Sequence, residues 1–329
     1  MTEALPKISI ITPSYQQAAY LEQTITSVLQ QDYANLEYIV VDGGSTDGSV
    51  DIIKKYEKQI DWWVSEKDQG QADAINKGLQ RANGEIIGWI NSDDYYLPGT
   101  FNAVANAFAQ NSQAGLIYGD VLAVDGQDKA INLMRYQQWD IADLLQFRMI
   151  GQSSVFFRRS TIEKSGLLDK QFHYLLDHQL WLRMAVHDKM IYVPQIWSVA
   201  RYHEDAKNLA GASHFGADAQ RILNWAAQDD HIKEVWQQNQ WKAKAGAAWL
   251  DAFYLSDAGR YGQSLKAYLQ VLLFSPARFL EGWKKFIYTF LCWLRLDSLT
   301  SKMETINQGN RKEGLRKYLM DSDLSHYLD

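Results

Sequence analysis

The stretch GEIIGWINSDD, Gly84–Asp94, joins an apolar segment directly to two adjacent aspartates. Residues Glu85–Ile90 predict a short buried strand, because they are mostly apolar and the run is too short for a helix. Asn91 ends that strand, and Leu97-Pro98-Gly99 predicts a turn into the next helix. The sequence therefore places the carboxylates of Asp93 and Asp94 at the end of a central strand.

The same pattern, an apolar strand followed by an amphipathic helix, occurs three times before this stretch. The strands are Ile8–Ile11, Tyr38–Val41 and Trp62–Val64, and the helices are Tyr20–Leu29, Val50–Tyr56 and Ala72–Ala82. Such repeats predict parallel βαβ units, with helices covering both faces of the sheet. Ligands of these sheets bind at the carboxyl ends of the strands. We therefore expect Asp42, Asp68 and the Asp93-Asp94 pair to meet at one edge.

The pattern changes after about Asp205, where helical periodicity continues without a convincing strand. One segment, Trp249–Pro276, loosely resembles a tetratricopeptide helix pair, but a solenoid needs about three repeats. We therefore predict an α/β domain over residues 1–212, with a mostly parallel, Rossmann-like sheet. An all-α appendage is predicted over residues 213–329.

The composition of the chain argues against several classes of protein. The net charge of the 329 residues is −6, which argues against a nucleic-acid partner but not against a single nucleotide ligand. Cys292 is the one cysteine, so neither a disulfide framework nor a cysteine zinc site is expected. The start of the sequence has no signal-peptide pattern, and the apolar run near Phe286–Leu294 is shorter than the ~20 residues of a spanning helix. We expect a cytoplasmic protein.

Asp93 and Asp94 are candidates for a metal site. Adjacent carboxylates repel each other unless a positive charge lies between or beside them. Oxygen ligands suit Mg²⁺ or Mn²⁺, and Mg²⁺ is commonly held by one or two carboxylates together with substrate phosphates. The alternative is a solvated turn that caps the helix after Pro98. The position at the end of a buried strand favours the metal site.

The segment VDGGSTDGS, Val41–Ser49, is a second candidate ligand loop. Its glycines allow a ligand to approach the backbone, and a helix begins directly after it. Asp47 is alternatively a cap for that helix. The spacing matches neither a dinucleotide-binding fingerprint nor a phosphate-binding P-loop. Thr12–Gln17 also lacks the basic, glycine-rich loop of a nucleotidyltransferase.

Together these motifs resemble, in order and spacing, the family 2 glycosyltransferases of the GT-A fold. The resemblance runs from Ile8 to about His203. Its matching pieces are TPSY (Thr12–Tyr15), SVLQQ (Ser27–Gln31), VDGGSTDG (Val41–Gly48), DQGQADAINKG (Asp68–Gly78), GEIIGWINSDD (Gly84–Asp94) and Leu97-Pro98. It implies an enzyme that uses a nucleotide-sugar donor and a divalent cation, and that inverts the configuration of the sugar.

The resemblance also implies roles for individual residues. Pro13, Ser14 and Tyr15 lie beside the nucleotide base, Asp42 contacts the base or ribose, Asp68 lies near the base, Asp93 faces the ribose, and Asp94 binds the metal on the diphosphate. Capping of the local backbone is an equal alternative for Asp68. Many members have a second acid directly after Asp42, where this chain has Gly43.

The acceptor half resembles the family less closely. Asp177 matches the family's general base, while Leu176 stands where the family has another acid. Asp177 is alternatively the N-cap of a helix. His203 matches a position near the diphosphate and is a candidate metal ligand, although a lone histidine is more often structural. Arg201 and Lys207 are candidate phosphate partners, and the more common alternative for each is a solvated charge.

The predicted function is transfer of a sugar, with inversion, from a nucleoside-diphosphate sugar such as a UDP-sugar to a hydroxyl acceptor. The acceptor is expected to be a saccharide or a lipid-linked molecule of surface polysaccharide or glycolipid biosynthesis. The alternative is a non-catalytic module that binds sugar nucleotides or serves as a scaffold.

A further segment, residues 278–295, mixes large apolar side chains with basic ones. It predicts either an interfacial helix that brings the protein to the cytoplasmic face of a membrane or a helix packed in the C-terminal bundle.

Overall fold

The computed structural model describes residues 5–203, 211–320 and 323–328, with the backbone alone at 297, 304, 306–308 and 310–312. The chain forms two compact units. The first comprises residues 1–123, 133–140 and 150–201, and the second comprises 124–132, 141–149 and 202–329. The second unit thus includes two short segments that the sequence did not assign to it. The predicted domain boundary after residue 212 stays a prediction.

The first unit is built on a half-parallel sheet. Its parallel strands are β1 (Ile8–Ser14), β2 (Leu36–Asp42), β3 (Trp62–Ser65) and β4 (Ile86–Trp89), in the order β3-β2-β1-β4. Helices α1 (Ala18–Leu29), α2 (Ser49–Lys55) and α3 (Gln71–Arg81) follow the first three strands. Every residue of β1 and β4 is buried. This arrangement confirms the predicted α/β fold with its Rossmann-like βαβ units.

The antiparallel pairing in the other half of the sheet was not predicted. After β4 the nine-stranded sheet continues through β8, β6, β9 and β5, with β7 paired to β6. Pairing is antiparallel between β4 and β8, β8 and β6, and β5 and β9. The elements are β5 (Tyr95–Tyr96), α4 (Thr100–Gln110), β6 (Ala114–Asp125), β7 (Ala130–Met134), α5 (Ile141–Leu145), β8 (Val155–Arg158), α6 (Arg159–Ser165), α7 (Leu176–His187) and β9 (Lys189–Tyr202).

The second unit is mainly helical, as predicted. Its long helices are α8 (Phe215–Gln228), α9 (Lys233–Asp257), α10 (Tyr261–Phe274), α11 (Pro276–Trp293) and α12 (Asp297–Met320). A small core of Ala252, Ala267 and Tyr268 joins α9 to α10, and Phe279 and Phe286 of α11 pack against it. None of the described helices is long and apolar enough to cross a bilayer.

Glu37 holds the amino-terminal end of the sheet, opposite the strand ends that carry the aspartates. Its carboxylate is nearly buried and accepts hydrogen bonds from Lys7, Ser9, and both the backbone and the side chain of Asn83. Burial alone would raise the pKa of Glu37, but these hydrogen bonds outweigh it and lower the pKa to about 2. The ionised carboxylate therefore stabilises the fold.

We predict that Glu37→Gln lowers the free energy of unfolding at pH 7 by on the order of 1 kcal/mol, once solvent screening is allowed for. A pKa lowered by folding stabilises the protein above the unfolded-state pKa near 4.5. The stabilisation is lost as the pH falls from there towards 2, so the two proteins should converge in acid. Urea unfolding from pH 7 to pH 3 measures this, with the exposed Glu57→Gln as control. A difference that does not depend on pH would contradict the assignment.

Candidate active site

The carboxyl ends of the four parallel strands meet at one edge of the sheet. The register pairs Ser14 with Asp42 and Asp42 with Ser65, so β1, β2 and β3 end side by side. Asp68 follows β3, and Asp93-Asp94 follows β4. The predicted arrangement of the three acidic strand ends along one edge is therefore what the topology shows.

The loops after β1 and β2 are hydrogen-bonded into one wall of this edge. The backbone N–H of Gln16 donates to Ser45 Oγ over 2.8 Å. Asp47 accepts from the N–H of Ala18 at the start of α1 and from Ser49 at the start of α2. Asp47 thereby caps both helices. Tyr15 stands beside this wall with 61% of its surface exposed, so its ring is accessible to a ligand.

Asp42 shapes the loop rather than projecting from it. Its carboxylate is fully buried and accepts from the N–H groups of Gly44 and Ser45 and from the hydroxyls of Ser45 and Ser65, over 2.6–3.0 Å. These four bonds hold the backbone of the glycine turn. A direct contact from Asp42 to a nucleotide stays a prediction.

Asp68 occupies the place that a side chain at position 43 would fill. A Cβ built on Gly43 would lie 2.7 Å from Asp68 Oδ2 and 3.1 Å from its carboxyl carbon. The other oxygen, Oδ1, accepts from the N–H of Gly70 over 2.8 Å. The chain therefore does have an acid beside Asp42 at the edge of the sheet. It comes from the loop after β3, whereas many family members have it at the position of Gly43, directly after β2. Gly43 and Asp68 belong to two separate motifs, so neither motif by itself indicates that Asp68 takes the place of an acid at position 43.

The Asp93-Asp94 turn is buried at its second residue. Asp94 is 8% exposed, and its Oδ1 accepts from the N–H of Arg201 over 3.0 Å. Its backbone carbonyl accepts from Thr24 Oγ1 on α1 over 2.7 Å. Burial, and then the neighbouring charge of Asp93, raises the pKa of Asp94 well above its ordinary value. In the first turn of α4 the N–H of Phe101 donates to Gln31 Oε1 over 3.4 Å, and no bond from this turn to Asp93 or Asp94 is seen among the described residues, so helix capping does not explain the pair.

Arg201 is the positive charge closest to this turn that the structure reveals. It is buried on β9, donates to the carbonyl of Asp93 over 2.9 Å, and donates to Gln23 Oε1 over 2.6 Å. Its guanidinium also lies against the rings of Tyr20 and Tyr95, at 4.5 and 5.3 Å from their centroids. Arg201 was predicted as a phosphate partner, but the structure places it under the acidic turn as a support. Lys207 lies outside the described residues.

A tryptophan pair connects Asp177 to the same strand end. Trp181 stacks on Trp89, the last residue of β4, with ring centroids 5.0 Å apart and planes inclined by 23°. Asp177 lies four residues before Trp181 on α7 and therefore on the same side of the helix. It is half-buried and accepts from the N–H of His178, whereas the N-cap position belongs to Leu175. The buried Leu176 occupies a core position that would not suit an acid.

Several buried polar atoms around this strand end have no protein hydrogen-bond partner. They are Ser14 Oγ, Trp89 Nε1, Trp181 Nε1 and Gln152 Oε1. The amide nitrogen of Gln152 donates to the carbonyl of Trp89, so Gln152 lies directly at the end of β4. Buried polar groups are nearly always paired in folded proteins. This concentration therefore indicates a place where a bound molecule supplies partners.

Comparison with known proteins agrees with the geometry. The model of glycosyl transferase family 2 matches residues 9–189, more than half of the chain. The chain belongs to glycosyl transferase family 2. This confirms the resemblance seen in the sequence.

Relatives and solved structures extend the comparison. The putative teichuronic acid biosynthesis glycosyltransferase TuaG of Bacillus subtilis is 36% identical over 48% of this chain and 65% of its own length. The chain spans about half to two thirds of the length of the curated relatives it matches first.

The S. aureus TarS fragment 1–349 has a TM-score of 0.58 at 16% identity, over 92% of both chains. Mannosyltransferase PcManGT of Pyrobaculum calidifontis has a TM-score of 0.59 at 18% identity, over 88% of this chain and 86% of that one. These two likenesses show the GT-A type of fold.

The acidic turn of this family 2 glycosyltransferase suits a cation that is held partly by the protein and partly by the phosphates of a substrate. Among the described residues, no three His, Cys, Asp or Glu side chains form a preformed cage. A site of one or two carboxylates completed by substrate phosphates needs no such cage. The Asp93-Asp94 pair, half-buried at Asp93 and buried at Asp94, has the carboxylate oxygens for such a site. His203 directly follows β9 and belongs to the second unit, and its role as a ligand stays a prediction.

We predict that Asp94→Asn stabilises the protein in metal-free buffer at pH 7 by about 1 kcal/mol, which is a few degrees in melting temperature. A raised pKa means that the charged form of Asp94 is disfavoured in the fold, and asparagine removes that charge while keeping an oxygen for the N–H of Arg201. Thermal melts with a chelator present measure the effect. Asp230→Asn, whose carboxylate is 92% exposed, is the control. An unchanged or lower melting temperature would show that Arg201 already compensates the charge.

Proposed function

We propose that this family 2 glycosyltransferase moves a sugar from a nucleoside-diphosphate sugar to a hydroxyl acceptor by a single, inverting displacement. The observation that carries the proposal is the Trp89–Trp181 stack. It brings a helix that carries a half-buried carboxylate, Asp177, to the strand that ends in the acidic turn. A proton acceptor and an acidic metal site at one strand end are the two components that such a displacement needs.

The donor is proposed from the residues along the strand edge. The accessible ring of Tyr15, with Pro13 and Ser14 before it, is suited to a nucleobase, and Asp68 supplies the acid that Gly43 lacks. Asp42 holds the loop between them, and Asp93 lies on the half-buried side of the acidic turn, where a ribose would be expected. The structures named above include TarS with UDP-GlcNAc and the mannosyltransferase with GDP-Man and Mn²⁺. We infer a nucleoside-diphosphate sugar, with UDP as the first nucleotide to test.

The residues divide the chemistry between them. Asp94, with His203 as a further candidate ligand, would hold Mg²⁺ or Mn²⁺. That ion supplies charge neutralisation for the leaving diphosphate. Asp177 takes the proton of the acceptor hydroxyl as its oxygen bonds to the anomeric carbon. The bond from that carbon to the diphosphate oxygen breaks on the opposite face. One carboxylate base without a carboxylate nucleophile therefore predicts inversion.

The acceptor is proposed as a saccharide or a lipid-linked molecule of surface polysaccharide or glycolipid biosynthesis. The name of the relative TuaG, which refers to teichuronic acid, supports this class. Such acceptors are assembled at membranes, so we place the protein at the cytoplasmic face, with peripheral contact through residues 278–295.

We predict that Asp177→Asn reduces turnover by about 10²–10⁴-fold while leaving the affinity for UDP unchanged, because the amide keeps the size of the side chain but not its basicity. UDP release from a panel of UDP-sugars with Mn²⁺ gives the turnover, and calorimetry gives the affinity. Asp51→Asn, on the exposed side of α2, should alter neither. Near-normal turnover of Asp177→Asn would remove Asp177 as the base. If the wild type binds UDP but releases none from any donor, the non-catalytic alternative holds.

A glycine substitution tests the exchange between Gly43 and Asp68. The new Cβ in Gly43→Ala would lie 2.7 Å from Asp68 Oδ2, so the carboxylate must move away from the strand edge. We predict that UDP binding weakens by about tenfold, the loss of one charged hydrogen bond. Gly314→Ala on α12 is the matched control, because its added Cβ meets nothing within 4 Å. Unchanged binding in Gly43→Ala would show that Asp68 does not contact the nucleotide.

A further inference from the structure

Large apolar side chains are exposed mainly in one part of the second unit. Of the seventeen that are exposed among the described residues, eleven lie between Leu269 and Leu299. Scattered single apolar residues are normal on a protein surface, but a concentration of this size marks an interaction surface. The segment contains the end of α10, the whole of α11 and the start of α12.

Four exposed apolar residues of α11, together with Leu294 directly after the helix, form one continuous stripe. Leu280, Trp283, Ile287, Phe290 and Leu294 follow one another at spacings of three and four, which places them on one face of the helix. Leu280 is 67% exposed and Trp283 is 46% exposed. We refer to these five residues as the α11 outer face. An ordinary amphipathic helix would bury such a stripe.

The opposite side of α11 explains why the stripe remains outside. Gly282 packs so closely on α9 that an added Cβ would lie 2.4 Å from Trp249 Nε1. Thr289, one heptad further on, is fully buried and shares a 2.8 Å hydrogen bond with Ser256 on α9. Lys285, between them, forms an ion pair with Asp257. The inner side of α11 therefore packs in the bundle through Gly282, Thr289 and the rings of Phe279 and Phe286. The apolar residues of the α11 outer face lie on the other side.

Among the side chains that the structure describes, the charges without an ion-pair partner beside the α11 outer face are positive. Lys284 lies within the stripe, between Leu280 and Ile287, and Arg295 follows directly after it. Both are exposed, and neither forms an ion pair within the described part of the chain. The acidic residue beside them, Glu281, is neutralised by Arg148 and Arg278 at 2.9 and 2.5 Å. An occupant of this face must therefore be apolar and carry negative charge.

We propose that the α11 outer face binds the surface of an anionic phospholipid bilayer, with α11 lying in the plane of the interface. Apolar side chains enter the acyl boundary, while Lys284 and Arg295 meet the anionic headgroups. Trp283, and Trp293 beside the stripe, are residues that favour this interface. A second copy of the chain fits the face less well, because an isologous contact would bring the same positive charges together.

Sedimentation of the full chain with lipid vesicles tests this proposal. We expect binding to vesicles that contain phosphatidylglycerol and phosphatidylcholine, and at least tenfold weaker binding to phosphatidylcholine alone. The double variant Leu280→Glu and Ile287→Glu should lose at least tenfold in binding, and Lys284→Glu should lose binding only to the anionic vesicles. Ile131→Glu, at an exposed apolar position on β7, is the matched control and should bind like the wild type.

Two further measurements make the outcome decisive. The variants should keep the circular dichroism and melting temperature of the wild type, because their side chains are exposed. Equal binding of the wild type and the double variant, or no binding by either, would overturn the proposal. A dimer of the wild type that dissociates in the double variant would also overturn it and show that a second copy covers the face. The vesicle assay contains no donor sugar, so its result is separate from that of the proposed transfer.

Discussion

The site depends on the burial of one carboxylate, that of Asp94. Burying a charge beside another of the same sign is unfavourable unless groups from other elements support it. The carboxylate of Asp94 obtains that support from the backbone N–H of Arg201 on β9, while Thr24 on α1 holds the backbone carbonyl of Asp94. Arg201 in turn extends to the carbonyl of Asp93 and to Gln23. Two elements that are far apart in the sequence, α1 and β9, are thus fixed around the end of β4.

This network limits what a sequence alone can reveal about the site. The strand end and its two aspartates are local features, so Gly84–Asp94 was sufficient to predict them. The bond from Arg201 to Asp94 spans 107 positions and involves a backbone N–H, which carries no residue-specific signal. Gln23 and Thr24 lie within an ordinary helical pattern and belong to no motif. Arg201 was recognised as a cation but assigned to the ligand instead of to the turn.

The fold shows the same division between local and distant information. Each of the first three parallel strands is followed by its own helix, so the sequence predicts that half from periodicity alone. The antiparallel half lacks this rhythm, and β6 (Ala114–Asp125) is buried along nearly its whole length, so it shows no alternation of polar and apolar residues. Two departures from the family pattern have local causes that only packing reveals. Asp68 fills the space beside Gly43, and Leu176 occupies a buried position.

The helix α11 shows that the spacing of apolar residues alone does not determine which face of a helix is buried. Its apolar stripe is visible in the sequence, and the usual inference is that such a stripe faces the core. Gly282 and Thr289 are spaced by seven residues and allow α9 a closer approach than any large side chain would. Close packing at Gly282, the hydrogen bond of Thr289, and the contacts of Phe279 and Phe286 with the core between α9 and α10 therefore decide which side of α11 is buried. The two alternatives for residues 278–295, a bundle helix and an interfacial helix, are in this way compatible, because opposite faces of one helix serve them.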